Sequence, residues 1–503
     1  MQTHLLKIAC LLCMLMFSVN NLLGQETQVK GAVFNPEGET LPGVSVTIEG
    51  TKTVVVTNMD GNYSITVPEK GQVTLVFSYI GYKPVKVAVK NLTRIDVTLE
   101  NDVTDLDEVV LIGYSSVKKR DLTGAITVVA EKDFQKGVVS ADRMIMGKIA
   151  GVVVTPNGGA PGSGSRIRIR GGASLSGSND PLIIIDGVPI ENSSVEGAPG
   201  LLSTINPNDI ESMNVMKDAS ATAIYGSRAS NGIVIITTKQ AKFGQKTKVD
   251  FNTRFSTSVL PTKIEVLSAG QIRSIINNYP LSNNEFKAML GTSNTDWQDQ
   301  IYQPAFGTDN NLTISGTTTN MPYRLAVGYL NEAGLLKSGN MERLTTNVNL
   351  NPRYLNGHLK IDISLKGSII NNKIANTGAI EGAMGFDPTQ PVTAPEFEKY
   401  GGYYTWLLND GSVNSQAFTN PVALLDTYSN TAKVMRGIAS AQVDYRMHFL
   451  PELRVNLNLS YDYAQGFGNV KIPKWASYAM TRGGQNTNYG DYKTNKLFES
   501  YLN

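Results

Sequence analysis

Few residues in this chain could do covalent or metal chemistry, and their placement argues against it. Cys10 and Cys13 form a C-x-x-C, a spacing used for redox and metal sites, but both sit in the apolar core of an N-terminal leader. There are three histidines in 503 residues. Beyond the leader only His358 and His448 remain, each on a strand-like segment and neither near a serine signature. A His-based triad or a zinc site has almost no raw material here. The glycine-rich stretch Gly158 to Gly164 lacks the G-K-[ST] of a phosphate loop, and Gly147-Lys148 is followed by Ile149 where Ser or Thr would be needed. No catalytic residue, no metal site and no cofactor is expected. The charged side chains that stand out are Arg166, Arg168 and Arg170, which period-two spacing puts on one face of a strand. Three cations on one face need carboxylate partners or water; a surrounding wall could supply the acids, or the face could be solvated.

The elements that would hold these residues follow from composition and pattern. Lys7, the apolar run Ile8 to Val19 and Leu22-Leu23-Gly24 read as a secretory signal peptide over 1–24. No apolar run after it is long enough to cross a bilayer as a helix. With 45 basic and 43 acidic residues the chain is nearly balanced, which gives no reason to expect a nucleic-acid partner. Residues 25–100 carry short runs at Val44 to Ile48, Val54 to Thr57, Tyr63 to Val67, Val73 to Tyr79, Val85 to Val89 and Ile95 to Leu99, spaced as in a small β-sandwich. Next, in 101–120, comes Leu106-Asp107-Glu108-Val109-Val110-Leu111-Ile112-Gly113-Tyr114, an apolar β-prone run flanked by charge. Such a run suits strand addition to another protein's sheet edge; a last edge strand of the sandwich is the alternative.

Residues 121–245 mix helix and buried-strand patterns. Ser140 could cap a short helix over Ala141 to Ile149, and Pro181 to Pro189 reads as a buried strand closed by the Asp186-Gly187 turn. The stretch Met216 to Lys239 runs from Lys217-Asp218 through a small-residue helix to Tyr225-Gly226. It then passes Arg228, Asn231 and Gly232 into a strand, Ile233 to Thr238, suited to burial on both faces. From 246 to 503 the pattern becomes long alternation: Val249 to Val259, Leu359 to Ile369 and Leu453 to Tyr463 reach the ~9–11 residues of a tilted membrane strand. Short links near Thr319 to Pro322, Pro352 to Gly357 and His448 to Pro451 alternate with longer ones at Leu260 to Thr308, Asn331 to Glu342, Ala375 to Lys433 and Ala464 to Asn495.

The stretch Met216 to Lys239, with Arg168, Arg170, Gly171, Asp186 and Gly187 ahead of it, resembles the plug of SusC/RagA-type TonB-dependent outer-membrane transporters. Residues 25–100 look like the carboxypeptidase regulatory-like domain that often precedes that plug. Leu106 to Tyr114 is similar to the TonB box, and Asn294 to Gln298 with Ala305 to Asn310 look like the first barrel loop. The resemblance implies a mainly β protein: sandwich, α+β plug, then part of a large antiparallel transmembrane barrel. It implies import across the outer membrane of oligosaccharide or peptide, TonB as the energising partner, a SusD-like surface lipoprotein, and N-terminal domains facing the periplasm. About eight barrel strands are counted. An eight-stranded barrel is filled by its own side chains, whereas plugged lumens have about 22 strands; the chain is therefore expected to be the N-terminal part of a longer transporter. In the loop from Ala375 to Lys433, Tyr400, Tyr403, Tyr404 and Trp406 could stack on a ligand, pack against a partner or pack within the loop. A barrel-borne hydrolase would need a nucleophile and base in one place, and a surface adhesin would need neither plug nor TonB contact.

Overall fold

The computed structural model describes residues 26–36, 38–51, 53–68, 73–79, 82–90, 92–100, 109–112, 115–118, 126–171, 178–190, 193–217, 223–279, 284–450 and 452–503, the segments 109–112 and 115–118 by their backbone. The signal peptide, Leu106 to Glu108, Gly113, Tyr114 and Asp218 lie outside the described residues. The chain divides near residue 121 into two compact units.

The first unit is a β-sandwich. Strands β1 (Glu26–Phe34), β2 (Ser45–Ile48), β3 (Val54–Val56), β4 (Asn62–Pro68), β5 (Thr74–Ser78), β6 (Val85–Ala88) and β7 (Val97–Thr98) form two sheets, ordered β4-β1-β7 and β3-β2-β5-β6. Val29, Val33, Val46, Ile65, Leu75 and Phe77 fill the space between them. Tyr63 packs edge-on to Phe77 at 5.3 Å and donates its hydroxyl to the Ile95 carbonyl at 2.8 Å. Burial, reinforced by the Asp96 carboxylate, pushes that phenol up to about 12. The strand β1 escapes a reading that starts at Val44, because Gly31 interrupts its apolar alternation. Gly31 is required: a Cβ there would sit 1.8 Å from the Ile95 carbonyl oxygen.

A separate two-stranded pair, β8 (Val109–Ile112) and β9 (Ser115–Lys118), follows in sequence. Its described backbone is part of neither sandwich sheet.

The second unit contains two layers. A mixed sheet, ordered β10-β15-β16-β13-β14, is built from β10 (Ile126–Ala130), β13 (Leu182–Ile185), β14 (Val188–Ile190), β15 (Ile210–Met216) and β16 (Ile233–Thr238), with the hairpin of β11 (Val152–Pro156) and β12 (Ser165–Ile169) beside it. β13 and β16 pair in parallel and are buried on both faces, which explains their unbroken isoleucine and valine runs. The β13–β14 turn puts Asp186 (φ 46°) and Gly187 (φ 82°) both in the left-handed region, as a two-residue type I′ hairpin requires. The expected helix from Ala141 to Ile149 is a 3-10 segment, Ala141–Ile145. Ser140 does not cap it; its hydroxyl is drawn instead to the Asp142 carboxylate.

The other layer is a wall of long antiparallel strands. These are β17 (Lys248–Ser258), β18 (Ala305–Thr317), β19 (Pro322–Ala333), β20 (Asn340–Leu350), β21 (Arg353–Tyr354), β22 (Leu359–Lys373), β23 (Ser429–Arg446), β24 (Arg454–Ile472) and β25 (Gln485–Leu502). All but the short β21 follow one another in sequence order across the sheet. Their polarity is inverted relative to a soluble protein. Phe255 and Phe306 are 77% and 68% exposed on the outer face, whereas Arg324 and Arg343 are 5% and 2% exposed on the inner one. Apolar outside and polar inside is the arrangement of a membrane wall around a polar lumen.

The strands overrun their expected limits. β24 and β25 continue to Ile472 and from Gln485, leaving the link 473–484 in place of Ala464 to Asn495. The link between β19 and β20 shrinks to 334–339, so the alternation of short and long connections is broken once. Runs such as Gln465-Gly-Phe-Gly-Asn469 and Asn486-Thr-Asn-Tyr-Gly490 carry few apolar residues; ladder pairing holds them extended, the first between β23 and β25 and the second against β24. Two links keep their length, and they carry α1 (Ala269–Asn278), α2 (Asn284–Ala288) and α3 (Trp297–Ile301), then α4 (Gly378–Gly385) and α5 (Pro421–Asp426).

Candidate functional site

The mixed sheet with its hairpin, the part expected to be a plug, meets the wall along a seam made chiefly of hydrogen bonds. Asn206 Nδ2 donates to Asn311 Oδ1 at 2.6 Å and to Thr345 Oγ1 at 3.3 Å. Asn208 Nδ2 donates to Asp309 Oδ2 at 3.2 Å. Arg343 sends Nη1 to three plug carbonyls: Ser203 at 2.7 Å, Val139 at 2.9 Å and Ile205 at 3.3 Å. Among the described residues two ion pairs cross the seam, Asp209–Arg324 at 2.7 Å and Asp186–Lys366, with all four side chains at least 88% buried. Asp186 is also bonded by Thr238, through its amide at 2.8 Å and its hydroxyl at 2.6 Å, and its carbonyl accepts from Gln442 Nε2 at 3.2 Å. One residue thus joins the ends of β13 and β16 to β22 and β23.

Apolar contact contributes less. Val195 meets Leu330, Met341, Ile370 and Val434 in a small cluster. A cavity of about 30 Å³ lies in the seam, lined by Asn347, Lys366, Ser368 and Arg436. Asn347 Oδ1 and Ser368 Oγ have no partner among the described residues; a polar space of that size accommodates a water. Contacts of this kind can be exchanged for water one at a time.

The arginine stripe is placed differently. Arg168 pairs with Asp180 of the plug itself at 3.0 Å, and Arg166 and Arg170 are exposed. Across the seam the charge relation is reversed: in both ion pairs the plug supplies the acid and the wall the cation. Asn231 Nδ2 reaches the carbonyls of Ser178 at 2.9 Å and Asp180 at 3.4 Å, so it gathers with Arg168 around one short segment. Lys217 Nζ donates to Ala150 O at 2.8 Å. Tyr225, Gly226 and Arg228 lie on the 3-10 segment Ala223–Ala229, and Gly171, Gly226 and Gly232 have φ of 93°, 65° and 88°. The wall partners Arg324, Arg343, Lys366 and Gln442 escape a sequence reading. On an alternating strand an inward cation looks the same as a solvated one.

At the other end of the wall, the links 259–304 and 374–428 fold onto each other. Trp297, Phe386, Phe397, Tyr404 and Trp406 form a connected set of ring contacts, Trp297–Phe386 at 4.8 Å and Tyr404–Trp406 at 5.2 Å among them. Tyr400 is buried, and Tyr403 donates its hydroxyl to Asp426 at 2.8 Å. Burial first, and then the neighbouring Asp426, pushes the Tyr403 phenol up to about 12; Tyr404 rises to about 12 through burial, with Asp387 and Glu396 adding to it. The Tyr404 and Trp406 rings are therefore engaged in packing within the loops. Beside them runs a groove of about 1040 Å³ between Lys263 to Gly270 and Met384 to Pro388. Trp297 Nε1 donates to Asp387 O at 3.1 Å inside this core. Trp297→Phe is expected to cost the loops about 2 kcal/mol, seen as faster amide hydrogen exchange over Trp297–Ile301.

Comparison with known proteins assigns the architecture. Residues 29–111 match the CarboxypepD_reg-like domain and residues 118–233 the TonB-dependent Receptor Plug Domain. The TonB-dependent receptor SusC of Bacteroides thetaiotaomicron is 40% identical over 99% of this chain and 50% of its own length. The chain belongs to the SusC/RagA-type TonB-dependent receptors. TonB-dependent receptor P26 of Formosa agariphila is 34% identical over 83% of this chain and 41% of its own. Among solved structures, the RagAB peptide importer in its open-open state superposes with a TM-score of 0.60 at 20% identity, covering 73% of this chain and 43% of that one, a likeness of fold. The chain spans about half the length of the curated SusC-like relatives it matches. In these receptors' terms the mixed sheet with its hairpin is the plug, and the inverted wall is barrel sheet.

Proposed function

We propose that this chain is the plug-bearing part of an importer of the bacterial outer membrane. Its plug closes the lumen from within, and its N-terminal sandwich faces the periplasm. The observation that carries this reading is a separate α+β unit held against a membrane-type wall by hydrogen bonds and two ion pairs, with few apolar contacts. TonB grips Leu106 to Tyr114 by strand addition and draws energy from the inner membrane. The pull reaches the plug at β10, and the seam parts to open a path. The cargo is an oligosaccharide or a peptide, captured together with a SusD-like surface lipoprotein that covers the folded loops. Residues 25–100 act as a spacer or regulatory module ahead of the force-bearing segment. Among the described residues the chemistry of the seam is positional, a matter of hydrogen bonds and ion pairs.

Deleting Leu106 to Tyr114 from the full-length protein tests the reading. Uptake of the cargo and growth on it are expected to fall to background, while the amount of protein in the outer membrane is unchanged. Undiminished uptake would leave a surface adhesin or scaffold as the better description.

A further inference from the structure

The outer face of the wall carries its charge in one place. On β22, β23 and β24 the odd-numbered residues alternate outward, in step with the exposed Leu365, Ile369 and Phe467. The even-numbered ones turn inward, in step with Lys366, Arg436 and Asp462, whose side chains are at least 88% buried. The even positions also hold the cations Lys360, Arg446 and Arg454 and the remaining acids of these strands, Asp362 and Asp444. The odd positions hold three charges, Lys373, Lys433 and Lys471, all exposed and all at the same end. Among the described residues none of the three is ion-paired. Glu342 of β20, an outward acid one strand from Lys373, pairs with none of them.

Depth puts these lysines at the membrane surface. The outward residues from Leu359 to Ile369 on β22, and from Tyr445 back to Met435 on β23, are apolar, aromatic or glycine. Each run covers about 34 Å of strand at ~3.4 Å per residue, and about 26 Å of height after a tilt of ~40°, which matches the apolar band of a membrane wall. Lys433 is the next outward residue beyond Met435, and only Asn371 separates Lys373 from Ile369. On β24, Lys471 stands beyond Phe467 and Asn469. The three ammonium groups thus rise to headgroup level at the loop end of the wall, the cargo end on the import reading. At the opposite, short-turn end the exposed large side chains are apolar or aromatic: Tyr354, Leu355, Phe449 and Leu450. Lys496 of β25 lies within the band and is engaged otherwise, 5.8 Å from the centre of the Tyr461 ring.

Register sets the spacing of the cations. Lys373 lies opposite Thr431, and Lys471 lies opposite Ser429. With strands ~4.8 Å apart, the three backbones are about 8, 12 and 14 Å from one another. One ligand with more than one anionic group can therefore engage all three. A merely solvated face would mix the two signs; this one is purely cationic. Amides surround the lysines: Asn469 Nδ2 donates to Asn486 Oδ1 at 2.9 Å and to Asn488 Oδ1 at 2.6 Å. The exposed Asn486 and Asn488 keep their own N–H groups as donors. Lysine meets phosphate as a point charge, and side-chain amides suit sugar hydroxyls. At this depth on an outward face the anions within reach are lipid headgroups.

We propose that Lys373, Lys433 and Lys471 form a docking site for the phosphorylated sugar headgroup of a glycolipid in the outer leaflet. The site rests on the outer-membrane reading of the wall, and it is independent of the cargo. The test uses the full-length protein in detergent, titrated with bisphosphorylated lipid A and followed by native mass spectrometry. Dephosphorylated lipid A, phosphatidylglycerol and inorganic phosphate are the comparison probes. Lipid A is expected to bind. Its dissociation constant should rise about fivefold in each of Lys373→Gln, Lys433→Gln and Lys471→Gln, and about a hundredfold in the triple variant. Arginine at the three positions should preserve binding, and Lys496→Gln should leave it unchanged. Every variant should melt as wild type does, because these side chains are exposed. The site is overturned if lipid A does not bind, or if the triple glutamine variant binds it as wild type does. It is equally overturned if dephosphorylated lipid A or phosphatidylglycerol binds as tightly, or if inorganic phosphate at equal concentration displaces the lipid. Deletion of Leu106 to Tyr114 leaves this binding untouched. Uptake that survives the deletion therefore sinks the import reading alone, and lipid binding unaltered in the triple variant sinks the docking site alone.

Discussion

Asp209→Ala is expected to loosen the plug by roughly 3–5 kcal/mol. The substitution strands Arg324, which is 5% exposed and whose Nη1 already lacks a partner among the described residues. The cost is that of an uncompensated buried cation, larger than the value of the pair itself. Amide exchange over Ile210–Met216 should accelerate ~100-fold or more, since each 1.4 kcal/mol is a factor of ten. Asp209→Leu combined with Arg324→Met should recover most of the loss, because a buried pair exchanged for apolar residues of similar size is close to neutral. Exchange unchanged in the single variant, or a double variant as loose as the single, would show that the pair does not hold the plug.

Gly466→Val should unseat the cargo end of the plug by a different route. A Cβ at Gly466 would lie 2.0 Å from the Glu196 carbonyl oxygen and 3.1 Å from Val195 Cγ2. Backbone cannot rotate out of the way as a side chain can. The expected penalty lies toward the upper end of the ~1–3 kcal/mol of an overpacked site. Displacing Glu196 also removes its amide from Asp491. The full-length variant should conduct ions in a planar bilayer where the wild type is closed. Gly437, on the neighbouring strand with open space around it, supplies the control: Gly437→Val should stay closed. Equal conductance in the two variants would refute the close approach.

How far the sequence disclosed this arrangement depends on what each residue faces. The strands β13 and β16 were legible because burial on both faces leaves an unbroken apolar run, and Asp186-Gly187 because few residue pairs tolerate two left-handed positions in succession. The long wall strands were legible where alternation was strict, as in Leu453 to Tyr463. They were cut short at Gln465 to Asn469, where polar residues and glycine are held extended by their neighbours alone. The seam was hidden for a related reason. Arg324, Arg343 and Lys366 occupy the polar phase of an alternation, which in a soluble sheet would point to water. Only the inverted wall turns those positions toward the plug. Orphaned atoms such as Asp142 Oδ2 leave no trace in sequence, since a partner's absence is a property of packing.

The link from β16 to β17 has a consequence for motion. It covers 239–247, and an extended chain of that length reaches at most about 30 Å. It is also stitched to the wall's short-turn end: Asn349 Nδ2 donates to Lys239 O at 3.0 Å, the Thr317 amide to Gln245 O at 2.9 Å and Thr317 Oγ1 to Lys242 O at 2.9 Å. The plug is thus captive at its exit while its entry strand, β10, lies on the sheet's edge with a single neighbour. Traction from the N-terminal side would peel the domain from that free margin around a fixed hinge. On the import reading, a passage formed in this way would open on one flank and reseal against a base still tied to the wall.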